Sequence, residues 1–68
     1  METLDIKLEI AGKEKECKVD FDRQGNKLFV MGAMAKIGTA YTPIDLDTMQ
    51  KYKAMKQAKS ILGIEWFT

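Results

Sequence analysis

Residues 4–22, with the sequence LDIKLEIAGKEKECKVDFD, decide the fold of this chain. Apolar side chains alternate with charged ones from Leu4 to Ile10, and the alternation resumes from Cys17 to Asp22. A period of two gives a β-strand one apolar face and one solvated face. Gly12 lies between the two runs and can adopt the positive φ of a tight turn. The stretch therefore predicts a hairpin of strands at about residues 3–10 and 15–22, with Cys17 as a small core hydrophobe.

A third strand is predicted at residues 27–31, where the sequence KLFVM is apolar on both faces. Such a strand is either buried on both sides or pairs with another copy of the protein. Residues 32–35 fit a bulge or turn, or else a short helical turn that ends at Gly38. The β-branched and aromatic residues after Lys36 favour strand continuation or a short fourth strand at about residues 36–41.

A long helix is predicted over about residues 43–62. Thr42 fits the N-cap, Pro43 the first helical position and Asp45 the positive end of the helix dipole. Gly63 is placed to end the helix, with Ile64 positioned for the hydrophobic contact of a Schellman motif. Residues 63–68 would then form a C-terminal tail.

Apolar residues on this helix recur at every third position, without the steps of four that keep them on one face. At 100° per residue, such a line winds around the helix, so its first and second halves point in different directions. Either the helix crosses a twisted sheet diagonally, or one half meets a second protein surface. The residues on this line are Leu46, Met49, Tyr52, Met55, Ala58 and Ile61.

The chain ends on two large aromatic residues, Trp66 and Phe67. Terminal residues are usually polar unless they are held by the fold, and aromatic side chains carry the largest apolar surface in a protein. These two side chains therefore either close the core near the helix or dock onto a partner or a second copy, where Trp is a favoured anchor.

The predicted fold class is α+β, with an antiparallel three- or four-stranded β-meander and one long C-terminal helix packed across one face. The 68 residues form a single domain. A chain of this length buries only about 60% of its unfolded surface, so without a disulfide or a metal its stability depends on an efficient core or on self-association. No secretory signal and no apolar run long enough to span a bilayer are seen, and a lone cysteine is typical of a reducing compartment. We therefore expect a cytoplasmic protein with no membrane partner.

Composition argues against catalysis and against metal binding. The chain has no histidine and one cysteine, so it has neither the usual general base nor the ligands of a Cys/His zinc site. The carboxylates of the hairpin alternate with lysines, which is typical of a solvated sheet face rather than of a site with raised pKa values. No phosphate-binding glycine motif is present. We expect no enzymatic activity, no cofactor and no metal.

The leading hypothesis is a non-enzymatic protein-interaction module or a small regulatory or inhibitor protein that acts as a homo-oligomer, because the third strand, the helix and the tail carry more apolar surface than one sheet face can cover. The predicted contact residues are Phe29, Met31, Tyr52, Met55, Trp66 and Phe67. The alternative is a nucleic-acid-binding protein that uses the basic helix face of Lys53, Lys56 and Lys59. The net charge of +1 provides no global field for nucleic acid.

Overall fold

The computed structural model describes residues 2–25 and 27–63. Four antiparallel strands form one sheet in the order β1-β2-β3-β4, and a single helix packs against one face. This confirms the predicted α+β meander. The elements are β1 (Glu2–Ile10), β2 (Lys13–Gln24), β3 (Lys27–Ile37), β4 (Ala40–Ile44) and α1 (Thr48–Leu62).

The β1–β2 hairpin is paired as its alternating pattern predicts. Ile10 pairs with Lys13, and the two linking residues, Ala11 and Gly12, both have positive φ, of 53° and 79°. Two positive φ values are characteristic of the type I′ turn, whose twist matches that of the flanking strands. The side chains that the hairpin buries against α1 are Ile6, Leu8, Cys17, Val19 and Phe21.

A bulge in β3 explains why this strand is apolar on both faces. Asp20 pairs with Gly32, and the next residue, Phe21, pairs with Val30, so Met31 is an extra residue on β3. The extra residue shifts the alternation by one position. Even-numbered residues before the bulge and odd-numbered residues after it can therefore face the same core. The β3 side chains that reach the core are Leu28, Val30, Ala33 and Ala35.

The boundaries of the third and fourth strands differ from the prediction. β3 runs from Lys27 to Ile37, past the predicted bound at residue 31, as the alternative of strand continuation predicts, and the fourth strand covers residues 40–44 instead of 36–41. Gly32 does not turn the chain, because it pairs with Asp20 within the sheet. The reversal takes place at Gly38, where φ is 65°, a left-handed conformation that glycine tolerates.

The helix begins later than predicted, so the assignment of Thr42 as N-cap and Pro43 as first helical residue is wrong. Both residues lie in β4, where Pro43 pairs with Met34. Proline is acceptable there because β4 is the outermost strand on its side of the sheet. Asp47 is the actual N-cap: its Oδ1 accepts the Gln50 N–H at 2.7 Å, and its own N–H donates to Gln50 Oε1 at 2.9 Å. This reciprocal pair is a capping box.

The helix lies close to the sheet because its contact face is lined by small residues. Ala54 and Ala58 are fully buried, and Leu46, Met55 and Leu62 pack around them against the core. The other part of the winding apolar line, including Met49, Tyr52 and Ile61, remains exposed.

The helix ends where the sequence predicts. Gly63 has a φ of 71°, and its N–H is directed at the carbonyls of Lys59 and Ser60. The expected contact of Ile64 lies outside the described residues, as does the rest of the tail.

Candidate interaction surface at the open edge of the sheet

Part of the inner strand β3 is paired on one side only. β4 pairs with residues 33–37 of β3, and Ile44 is its last paired residue, opposite Ala33. Residues 27–32 of β3 border β2, while no described residue pairs with their other side. We call these six residues the open β3 edge. In an antiparallel strand, alternate residues of such an edge present free N–H and C=O groups to an incoming chain.

Two large apolar side chains are exposed along the open β3 edge. Phe29 is 45% exposed and Met31 is 59% exposed. Phe29 pairs with Asp22, which follows the buried Phe21 in β2, so by strand alternation Phe29 lies on the sheet face away from α1. Met31 is the extra residue of the bulge. The edge therefore combines free backbone groups with side chains that lose contact with water only when another surface covers them.

A groove of about 340 Å³ follows this edge at the point where β4 leaves the sheet. Residues 30–33 of β3 form one wall, and Ile44, Asp45, Leu46 and Lys51 form the other. The apolar residues of the groove give an added strand or side chain a surface to pack on, and Asp45 and Lys51 give it a charged rim.

The outer edge of β1 is covered by side chains of the helix. The Lys7 N–H donates to Gln57 Oε1 at 3.2 Å, and Gln57 Nε2 donates to the Lys7 carbonyl at 2.7 Å. Nearer the start of the helix, Gln50 Nε2 donates to the Glu9 carbonyl at 3.2 Å. A glutamine amide presents a donor and an acceptor side by side, so Gln57 satisfies this edge much as a neighbouring strand would.

The outer edge of β4 is protected in a different way. The strand is only five residues long and contains Pro43, which has no N–H to offer. Short strands and prolines are two of the devices by which proteins prevent edge-to-edge association. The open β3 edge contains no proline, no charged side chain lies between Lys27 and Lys36, and its pairing with β2 is irregular at the Met31 bulge.

The sheet face opposite α1 carries charged side chains that pair with one another. Lys18 Nζ lies 3.0 Å from Asp5 Oδ1, and Lys36 Nζ lies 3.7 Å from Glu16 Oε2. The ammonium of Lys18 also sits 5.0 Å from the centre of the Tyr41 ring. The hydrogen bond from Lys18 to Asp5 raises the pKa of the lysine, which keeps it charged. These groups pair with one another beside a hollow of about 240 Å³.

Cys17 behaves as the predicted core residue. Its side chain is buried in the hydrophobic cluster, and its thiol lies 3.7 Å from the Lys15 carbonyl. Burial raises the pKa of the Cys17 thiol, which disfavours the reactive thiolate. Over residues 2–25 and 27–63, no cluster of three or more His, Cys, Asp or Glu side chains is placed to hold a metal. No helix within the same residues is long and apolar enough to cross a bilayer.

The predicted contact residues do not form one surface. Phe29 and Met31 belong to the open β3 edge, whereas Tyr52 is exposed on the helix, and Met55 is partly buried against the core and supports the fold instead. Trp66 and Phe67 lie outside the described residues.

Sequence reasoning missed the unpaired backbone of β3 and the neighbouring Asp45. The available signal was Pro43, which fits an outer strand as well as a helix start.

The three lysines of the nucleic-acid alternative are also not equivalent. Lys53 and Lys56 are exposed, whereas Lys59 is only 9% exposed, so the described structure presents two of the three predicted lysines to solvent. The ammonium of Lys56 lies 5.9 Å from the centre of the Tyr52 ring. A face with two exposed lysines beside Tyr52 makes a weaker phosphate-binding surface than the sequence pattern indicates.

Comparisons with protein-family models, with curated proteins and with solved structures find no match for this chain. Its function therefore has to be argued from the surface just described.

Proposed function

We propose that this chain is a non-enzymatic protein-interaction module, of the kind that a small regulator or inhibitor uses, and that it docks by strand addition at the open β3 edge. The observation that carries the proposal is the contrast between the edges of the sheet. Gln50 and Gln57 cover the edge of β1, and Pro43 leaves β4 without one N–H donor. Residues 27–32, in contrast, expose unpaired backbone together with the side chains of Phe29 and Met31.

Strand addition makes use of both features of this edge. Main-chain hydrogen bonds to an added strand supply affinity that is nearly independent of its sequence, and side chains that alternate along the edge supply specificity. Phe29 contacts an added strand from the face away from the helix, and the groove beside Val30 and Ala33 receives a side chain from the helix side. The partner chemistry that fits is an extended peptide segment with apolar side chains at alternate positions.

The absence of a catalytic role is part of the same proposal. Cys17 is the one thiol in the sequence, and burial keeps it protonated, so it makes a poor nucleophile. On the exposed sheet face, Lys18 pairs with Asp5 and Lys36 pairs with Glu16. A free thiol is compatible with the reducing cytoplasm, where we propose that the protein acts.

The proposal is tested by titrating isotope-labelled protein, at low concentration, with a synthetic peptide of residues 27–32, KLFVMG. Strand addition predicts that amide chemical shifts move along the open β3 edge and at residues 44–46. The matched control is the same peptide N-methylated at alternate backbone nitrogens, which keeps the side chains but removes the backbone N–H donors of the methylated residues. Chemical-shift changes confined to the solvent-exposed face of α1, or equal affinity for both peptides, would contradict strand addition.

A salt titration tests the nucleic-acid alternative separately. Phosphate contacts release counterions, so any binding through Lys53 and Lys56 must weaken as salt rises. We expect no saturable binding to random duplex or single strands at physiological salt. Tight binding that falls steeply with salt would favour the alternative over the interaction module.

A further inference from the structure

We infer that the occupant of the open β3 edge is a second copy of this chain, paired antiparallel about a two-fold axis near Phe29, so that the two sheets become continuous. This inference rests on the proposed function, because it names the partner of the same edge. Residues 27–31 of each copy form the paired strands. The pairing stops before Gly32, because Asp45 borders the edge there.

The backbone of an antiparallel edge is complementary to itself. A two-fold axis perpendicular to the strand places the row of N–H and C=O groups of one copy opposite the same row of the other copy, so that donors face acceptors. In an isologous interface, each copy contributes the same surface patch in this way. No described residue pairs as a strand with this row in the isolated molecule. A second copy therefore satisfies backbone groups on both molecules at the same time.

The charge pattern permits this self-pairing. Residues 28–35 contain no charged side chain, so an antiparallel pair brings no like charges into opposition along its length. The net charge of +1 leaves little repulsion between whole molecules. With the axis at Phe29, the two Phe29 rings lie across the axis from each other, and aromatic cross-strand pairs are favourable in sheets.

Opposite charges at the two ends of the edge favour a second copy over a generic apolar strand. Lys27 begins the edge, and Asp45 lies beside its other end. The two-fold axis brings Lys27 of each copy next to Asp45 of the other, which gives two attractive contacts. Lys51 borders the groove from the helix, whereas Asp45 directly follows the last paired residue of β4.

The first experiment measures mass by sedimentation velocity over a concentration series. The variant Met31→Lys places a charge within the paired strands, and the matched control is Met49→Lys, because Met49 is a similarly exposed methionine (61%) on the helix. We expect dimers for the wild type and for Met49→Lys, with the dissociation constant of Met31→Lys raised by about tenfold or more. Circular dichroism confirms that both variants remain folded. A wild type that is monomeric at every concentration, or equal effects of the two variants, would overturn the inference.

The second experiment tests the geometry with charge reversals. Lys27→Asp alone sets two carboxylates against each other at both contacts, and Asp45→Lys alone sets lysine against lysine, so each variant is expected to weaken dimerisation by about tenfold. An equimolar mixture restores both attractive contacts and should form the heterodimer preferentially. If the mixture associates no better than either variant alone, the proposed antiparallel register is wrong.

The outcomes separate this inference from the proposed function. A monomeric protein that binds the KLFVMG peptide at residues 27–32 keeps the interaction edge and removes the second copy as its occupant. A dimer whose affinity is insensitive to Met31→Lys and to both charge reversals overturns the inference by placing the contact elsewhere. A monomer that does not bind the peptide removes both proposals.

Discussion

Replacing Gln57 by alanine tests how the helix covers the outer edge of β1. In the folded protein the Gln57 amide makes two hydrogen bonds to the backbone of Lys7, with lengths of 3.2 Å and 2.7 Å. Each is worth about 0.5–1.5 kcal/mol net, and the lower half of that range applies here because water reaches this partly exposed edge. Alanine recovers a few tenths of a kcal/mol through its higher helix propensity.

The expected loss in the free energy of unfolding for Gln57→Ala is therefore about 1 kcal/mol, which corresponds to a fall in Tm of about 4–8 °C for a domain of this size. The assay is urea denaturation followed by circular dichroism, at one fixed protein concentration so that association does not change the comparison. The Lys7 amide should also exchange its hydrogen faster, because its acceptor is gone.

Lys53→Ala is the matched control, since it makes a similar truncation at an exposed position of the same helix. We expect its unfolding free energy to stay within about 0.5 kcal/mol of the wild type. The interpretation of Gln57 as a cover for β1 fails if Gln57→Ala is as stable as Lys53→Ala and the exchange rate of Lys7 is unchanged.

Four further predictions concern stability and reactivity. Ala11 holds a positive φ of 53° in the β1–β2 turn, so Ala11→Asn should stabilise the fold by about 0.5–1 kcal/mol in thermal melts, whereas a loss of stability would contradict the type I′ assignment. Asp47→Ala removes the capping box with Gln50 and should cost about 1 kcal/mol, while an effect below a few tenths would show that the helix needs no cap. Cys17 should react with thiol reagents only as fast as the protein unfolds, and rapid labelling of the native state would refute its burial. Because the folded state raises the pKa of this thiol, the unfolded chain loses its proton first, and stability should fall as pH rises through the ordinary thiol range.

The hairpin and the fold class were predictable because they depend on local alternation. Ile6, Leu8, Cys17, Val19 and Phe21 occupy alternate positions of their strands, and a one-residue slip would expose all of a strand's apolar side chains at once. The end of the helix was predictable for a similar reason, since Gly63 is the residue type that ends helices in a left-handed conformation.

The start of the helix was not predictable from caps alone. The chain contains two competing signals, Thr42-Pro43 and Asp47 with Gln50, and both satisfy the rules for a helix N-terminus. Pairing of residues 40–44 with β3 decides between them, because it supplies backbone hydrogen bonds that an earlier helix start would forfeit. Such pairing depends on residues that are distant in sequence.

The open β3 edge was only partly visible in the sequence. The two-sided apolar character of residues 27–31 indicated an unusual strand and named Phe29 and Met31. The edge itself arises from the difference in length between β3 and β4, and that difference depends on where Gly38 reverses the chain. The role of Gln57 was likewise hidden, because it depends on how the helix crosses the sheet relative to Lys7.

Amide hydrogen exchange at residues 27–32, measured at low and at high protein concentration, shows whether a second copy covers the open β3 edge. Pairing with a second copy predicts that amides facing out of the sheet on this edge exchange quickly in dilute protein and become protected as concentration rises. The Lys7 amide, which is already bonded to Gln57, should remain unchanged. Fast exchange along residues 27–32 at every concentration, or protection that does not depend on concentration, would contradict it.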